Sequence, residues 1–389
     1  MSLKQTVDAI LSRATDAGDV PGVVAIATDR NGTLYEGAFG KRVVGQPAPM
    51  TLDTVAWIAS MTKAITSSAA MQLVERGQLA LHEPVKRWVP QIGAAQVLEG
   101  FDAQGRPRTR APKREITLSH LLTHTAGFGY EFWSESIQKF QQATETPGII
   151  ACQDNCLRTP LLFDPGERWN YGINIDWVGK AVEATSGMRL GAYLQQNILG
   201  PLGMGDTAFR ISPSMRSRLA KIHQRGDDGA LAATDVEIPQ DPEFEMGGGG
   251  LYGTAVDYAK FVRMILHRGQ GPNARILKAD TVDLMGRNQT GDIRVTALKT
   301  AMPPLSNDAE FFPGVEKRFG YGFQINTERA PTGLSPNSLM WAGLANSYYW
   351  IDPTRGIGGV YVSQILPFAD VKSAPLFMDF QKAVYQSLG

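Results

Sequence analysis

Cysteine is almost missing from this chain of 389 residues, and the two present, Cys152 and Cys156, sit four apart in Cys-Gln-Asp-Asn-Cys. A disulfide or half a metal site would fit that spacing, but no second Cys or His cluster lies nearby, so reduced, structural thiols are expected. Excess charge is missing too. The 38 basic residues balance the 38 acidic ones, which gives no reason to expect nucleic acid or an anionic membrane as partner. No run reaches the roughly 18 apolar residues of a membrane span. The first nineteen residues place Val7, Ile10, Leu11 and Ala14 at helical spacing and lack the continuous apolar core of a signal peptide. A cytoplasmic location follows as the expectation. Repeats and low-complexity tracts are absent.

Two catalytic signatures are also lacking. No Gly-x-Ser-x-Gly occurs, which disfavours a Ser-His-Asp esterase of the α/β-hydrolase type. His120 and His124 have the spacing of a zinc motif, but Leu121 stands where its glutamate belongs. Both histidines are read as structural, His82, His223 and His267 are isolated, and no metal or cofactor is expected.

The signals that remain are those of a globular chain long enough for one large or two intimate domains. Pro21-Gly22 opens a β-branched run, and Asn31-Gly32 separates it from a second run ending at Phe39, which predicts a hairpin. From Leu79 to about Asp241 helical periodicity dominates. Thr117 is placed to cap a helix that Gly127 closes, Ile173 to Ser186 and Leu190 to Leu199 read as helices, and Gly200-Pro201 ends the latter. Gln91 to Glu115, with Arg106, Arg108, Arg110, Lys113 and Arg114, reads as a solvated excursion. Gly247 to Gly253 contains a formal Gly-x-Gly-x-x-Gly, but it follows an acidic, irregular segment and not a strand. Close backbone approach near a pocket is the expected use of those glycines. Thr254 caps a helix to Leu266, and Asn288 to Pro313 reads as a loop bordering the pocket. Strands are expected at 321–325, 339–351 and 359–365, before a final helix at about 374–387. Strands at both ends of a helical middle imply one sheet built from residues 1–78 and 247–389, with a helical domain, 79–246, inserted.

The chemistry is concentrated in Ser60-Met61-Thr62-Lys63. If the apolar run that follows is a helix, Ser60 and Lys63 share a face. A serine hydroxyl needs a positioned base to act as a nucleophile, and Lys63 is the candidate. Apolar residues surround that helix, so burial should lower the pKa of the amine. Tyr171 follows Pro165-Gly166-Glu167 at a loop-to-helix junction. Trp341-Ala342-Gly343-Leu344 lies on a late strand, where two small residues let a ligand approach the backbone.

Taken together, Ser60-x-x-Lys63, Leu121-Leu122-Thr123-His124-Thr125-Ala126-Gly127, Pro165-Gly166-Glu167 before Tyr171, Pro201-Leu202-Gly203-Met204 and Gly248-Gly249-Gly250-Leu251 resemble the serine hydrolases related to class C β-lactamases and penicillin-binding proteins. Among them the chain is most similar to the family VIII carboxylesterases. The resemblance runs over nearly the full length and implies an α+β fold, a central antiparallel sheet flanked by helices with a mostly helical lobe. It implies Ser60 as the acylated nucleophile and Lys63 with Tyr171 as proton carriers. It further implies an oxyanion hole from the backbone N–H groups of Ser60 and Leu344, with Trp341, Ala342 and Gly343 binding substrate and Trp341 lining the acyl pocket. The Lys-Thr-Gly of β-lactamases appears here as Trp341-Ala342-Gly343, so the cation and hydroxyl for a β-lactam carboxylate are missing. Their Tyr-x-Asn becomes Tyr171-Gly172-Ile173, with Asn174 one place late. Both departures favour hydrolysis of short-chain neutral esters, with weak β-lactam turnover. A β-lactamase or D-amino-acid peptidase, an acyltransferase, and a non-catalytic ligand-binding relative are the other readings. Oligomeric state is not legible.

Overall fold

The computed structural model describes residues 2–388. Its centre is a seven-stranded antiparallel sheet in the order Thr33–Gly40, Gly22–Asp29, Ile357–Val362, Ser347–Asp352, Leu339–Gly343, Gln324–Asn326 and Lys317–Phe319. The N-terminal hairpin therefore pairs with the last long strand, Val24 opposite Val362, and closes one sheet from the two ends of the chain.

Strand Ser347–Asp352 shows why this sheet is apolar on both faces. Successive side chains point to opposite sides. Tyr348 stacks on Phe377 and Trp350 meets Phe380 edge-on, whereas Tyr349 packs on Tyr258. Helices Leu3–Asp16 and Ser373–Ser387 thus cover one face, while Ala255–Leu266 covers the other, where the turn Ala59–Met61 ahead of helix Thr62–Glu75 also meets strands Leu339–Gly343 and Ser347–Asp352. Ser2 caps the first helix through a capping box with Gln5, and Thr254 caps the third by accepting the Asp257 N–H.

Several local expectations needed revision. Residues 339–351 form two strands joined by a tight turn at Leu344-Ala345-Asn346, not one continuous strand. The helix capped by Thr117 spans only Leu118–Leu122, because His124 already has a φ of 57°. Gly200-Pro201 does not end its helix; the backbone winds on to Leu202 and stops at Gly203. The polar excursion holds a hairpin, Val97–Phe101 with Pro107–Arg110, whose cations are largely engaged. Arg106 pairs with Asp102, and Arg110 and Lys113 converge on the buried Asp164. Both cysteines are free and buried, and the Cys156 thiol donates to the Gly148 carbonyl. Among the described residues no helix is long and apolar enough to cross a membrane.

Candidate active site

Helix Thr62–Glu75 is buried almost all round, and its N-terminal extension, a single tight turn at Ala59–Met61, carries Ser60. Ala59 holds a φ of 45°, a left-handed conformation that costs a non-glycine residue free energy. The surroundings hold the turn in place. Ile58 N–H donates to the Leu251 carbonyl, Leu251 N–H to the Thr62 hydroxyl, and the Trp57 indole to the Gly249 carbonyl.

One turn on, the Lys63 ammonium sits 3.0 Å from Ser60 Oγ, 3.0 Å from the Tyr130 hydroxyl and 2.6 Å from the Gly248 carbonyl. Its Nζ also lies 4.6 Å from the centroid of the Tyr171 ring. Burial pushes the Lys63 pKa well below that of a free lysine, against the pull of Asp176, which favours the charged form. Tyr171 shares a pocket wall with Ser60 and accepts the Trp341 indole N–H at 2.9 Å. Its phenol is raised by burial, and the hydrogen bond from Trp341 opposes the rise.

Ser60 opens into two apolar lobes. One is lined by Phe132, Trp133, Tyr171, Leu298, Phe311, Trp341, Ala342, Leu344 and Phe368. The other is lined by Trp57, Tyr130, Phe132, Ile149, Ile150, Met246, Gly248, Gly249 and Leu344. Neither wall includes a charged side chain. A roomier hollow beside Arg30, Lys260 and Arg263 contains no serine, threonine or cysteine.

The structure brings Ser60, Lys63, Tyr171, Trp341, Ala342 and Leu344 together, and it places Leu298 and Phe311 from the 288–313 loop on the wall. Gly343 does a different job. A Cβ there would lie 2.4 Å from the Ile58 carbonyl oxygen, so its smallness admits the nucleophile turn. Asn174 meets buried His124 at 3.0 Å, beneath Tyr171.

A model of the Beta-lactamase family matches residues 7–381. The chain belongs to the beta-lactamase family. It shares the α+β fold of the class C and penicillin-binding-protein-like serine hydrolases. Within the beta-lactamase family it is 34% identical to a monacolin J acid methylbutanoyltransferase of Aspergillus terreus, over 96% of this chain and 93% of the relative. It is 31% identical to a lovastatin esterase of Penicillium rubens, over 98% of each chain. A simvastatin synthase from Aspergillus terreus, in its LovD6 mutant form, superposes with a TM-score of 0.85 at 32% identity, covering 98% of this chain and 96% of that one. This beta-lactamase-family chain is thus an enzyme of the serine hydrolase or acyltransferase kind.

Two residues at this site, Tyr130 and Asp176, were not singled out in the sequence, whereas Gly248 belongs to the glycine run expected to approach a pocket. Tyr130 touches Lys63 and lies 3.4 Å from Asp176 Oδ2; Gly248 N–H donates to Asp176 Oδ1 at 2.8 Å. Asp176 was hidden inside a helix read only for its apolar face, although a carboxylate amid Ile175, Trp177 and Val178 is itself a signal.

Proposed function

We propose that this chain is an acyltransferase that forms an acyl-enzyme on Ser60 and passes the acyl group to an alcohol, with water as the poorer acceptor. The observation that carries the reading is the pair of uncharged lobes meeting at Ser60. One lobe can hold the acyl chain while the other receives an alcohol and excludes water. Similarity to the methylbutanoyltransferase and the simvastatin synthase favours transfer over the short-chain esterase reading, and similarity to the lovastatin esterase supports hydrolysis as a side reaction.

In this reading Ser60 Oγ attacks the donor ester carbonyl, and its proton passes to the Lys63 and Tyr171 pair. The Ser60 and Leu344 N–H groups hold the oxyanion, a contribution of about 3 kcal/mol per donor. The donor's alkoxide leaves with a proton from Tyr171. The acceptor alcohol then gives its proton to the same pair and attacks the acyl carbon, and the pair returns a proton to Ser60 Oγ as the acyl–oxygen bond breaks. Because Tyr171 handles the alcohol proton, the alcohol belongs in the lobe that Tyr171 and Trp341 line. The acyl chain belongs against Ile149, Ile150 and Met246. Trp341 then lines the alcohol side, not the acyl pocket expected from the sequence. A β-lactam carboxylate would meet no cation on either wall, which disfavours the β-lactamase reading.

Partitioning tests this. With p-nitrophenyl butyrate and rising concentrations of a hydrophobic alcohol, the new ester should replace free butyrate as the main product, and Ser60→Ala should make neither. Free butyrate as the sole product at every alcohol concentration would return the chain to the hydrolases. Wild-type turnover by Ser60→Ala would overturn the mechanism.

A further inference from the structure

Asp176 is buried at 1% exposure, and a carboxylate is costly to keep there without compensation. Its two oxygens divide the work. Oδ1 accepts the Gly248 N–H at 2.8 Å, and the carbonyl of the same Gly248 accepts from Lys63 at 2.6 Å. Oδ2 faces the Tyr130 hydroxyl at 3.4 Å, and that hydroxyl is 3.0 Å from Lys63. Lys63 is therefore tied to Asp176 twice without touching it. The approach is close. A Cβ on Gly248 would stand 2.6 Å from Asp176 Oδ2 and 2.9 Å from the Tyr130 oxygen, so the glycine run serves this bridge.

We propose that Asp176 is a positioning residue: through the Gly248 peptide and the Tyr130 hydroxyl it holds the Lys63 amine against Ser60, and its charge sets the pH at which that amine becomes a base. The proposal rests on the acyl-serine reading.

The neighbouring groups leave that task to Asp176. On its own helix the adjoining residues, Ile175, Trp177 and Val178, are uncharged. The loop before it contributes Tyr171, whose phenol is raised by burial. The 130–131 segment contributes Tyr130, likewise raised by burial, and Glu131, which accepts the Ile149 N–H. The 152–156 turn contributes two thiols that burial keeps protonated, with pKa values near 12 and 11. His124 faces Lys63 but is held neutral by burial. Lys63 is the cation facing the carboxylate, and attraction between the two favours the ammonium.

Replacing Asp176 by Asn removes the charge but leaves an oxygen for the Gly248 N–H. The ammonium loses its partner, so the free amine should persist to lower pH. The readout is the p-nitrophenol burst from Ser60 acylation across the acid range. In Asp176→Asn the acid limb should move down by roughly one pH unit, and Tyr130→Phe should move it the same way. The phenyl ring would keep its stacking on Phe132, at 4.8 Å between centroids, so Tyr130→Phe gives the answer even if Asp176→Asn does not fold. An acid limb at its wild-type position in the folded variants would overturn the proposal and leave Asp176 a structural residue. The Ser60→Ala control separates the two readings. A burst surviving in Ser60→Ala sinks the acyl-serine reading itself, whereas a Ser60-dependent burst with an unmoved limb sinks only the role of Asp176.

Discussion

The hydrogen bond from the Trp341 indole to the Tyr171 hydroxyl, 2.9 Å long, joins a residue of the sheet to one of the helical lobe. It fixes the direction in which the phenol oxygen presents itself to Ser60. Trp341→Phe would keep an aromatic ring beside Phe311 and Phe319 and lose that donor. A bond of this kind contributes about 1 kcal/mol, so kcat should fall about fivefold. Unchanged kcat in a folded Trp341→Phe would show that the bond does not orient the phenol. Ser60, Lys63, Tyr171 and Trp341 were legible because each sits in a short motif whose spacing is local. Tyr130 and Asp176 were not, because their use depends on two segments meeting across the fold. In sequence, an aspartate in the first turn of a helix looks like a favourable partner of the helix dipole; only its burial against Gly248 and Tyr130 shows another purpose.

Among elements, the site depends on how closely strand Leu339–Gly343 lies against the turn Ala59–Met61. Gly343 sets that distance, since a methyl there would stand 2.4 Å from the Ile58 carbonyl oxygen and 3.3 Å from Ala59 Cβ. The first clash is with backbone and cannot be relieved by rotating a side chain. Gly343→Ala should therefore cost about 1–3 kcal/mol of stability and shift Ser60 relative to Leu344. Activity should fall by more than about tenfold, since misplacement on that scale is expensive in a preorganised site. Denaturant midpoints beside kcat/KM would check both, and wild-type kcat/KM would show that the strand does not set the nucleophile's place. The element boundaries show the limits of pattern reading. Leu339–Gly343 and Ser347–Asp352 merge in sequence because the turn between them contains neither proline nor an obvious turn pair. Asn346 makes that turn alone, with φ at 58° and its amide donating to the Ile365 and Pro367 carbonyls. The hairpin at residues 97–110 escaped notice for the opposite reason. Its strands are short and lack the apolar–polar alternation that marks a half-buried strand.

Over the whole molecule, the short helix Leu118–Leu122 ties the helical lobe to the sheet. The Leu122 carbonyl accepts the Gly322 N–H, and the Ser119 hydroxyl meets the Tyr321 hydroxyl at 3.2 Å. The helix begins with a capping box in which His120 Nδ1 accepts the Thr117 N–H. A protonated ring cannot accept that bond. Burial, reinforced by Arg114 and His82, lowers His120 from an ordinary 6.5 to about 4. Above the ordinary value neither the folded nor the unfolded chain protonates this histidine. Between there and about 4 the unfolded chain takes up a proton that the folded chain refuses, so stability contributed by the neutral ring is lost as the pH falls through that window. His124, buried against Asn174 and likewise depressed by burial, acts in the same direction. Asp176, raised by burial, acts in the opposite one, which makes a single acid titration of the wild type ambiguous. Comparison with His120→Gln removes the ambiguity. Glutamine can close the same capping box without titrating, and it leaves His124 and Asp176 unchanged. Melting temperatures from about pH 7 to about pH 4.5 should fall less steeply in His120→Gln than in the wild type. Parallel curves would show that the lobe-to-sheet tie does not depend on the neutral imidazole.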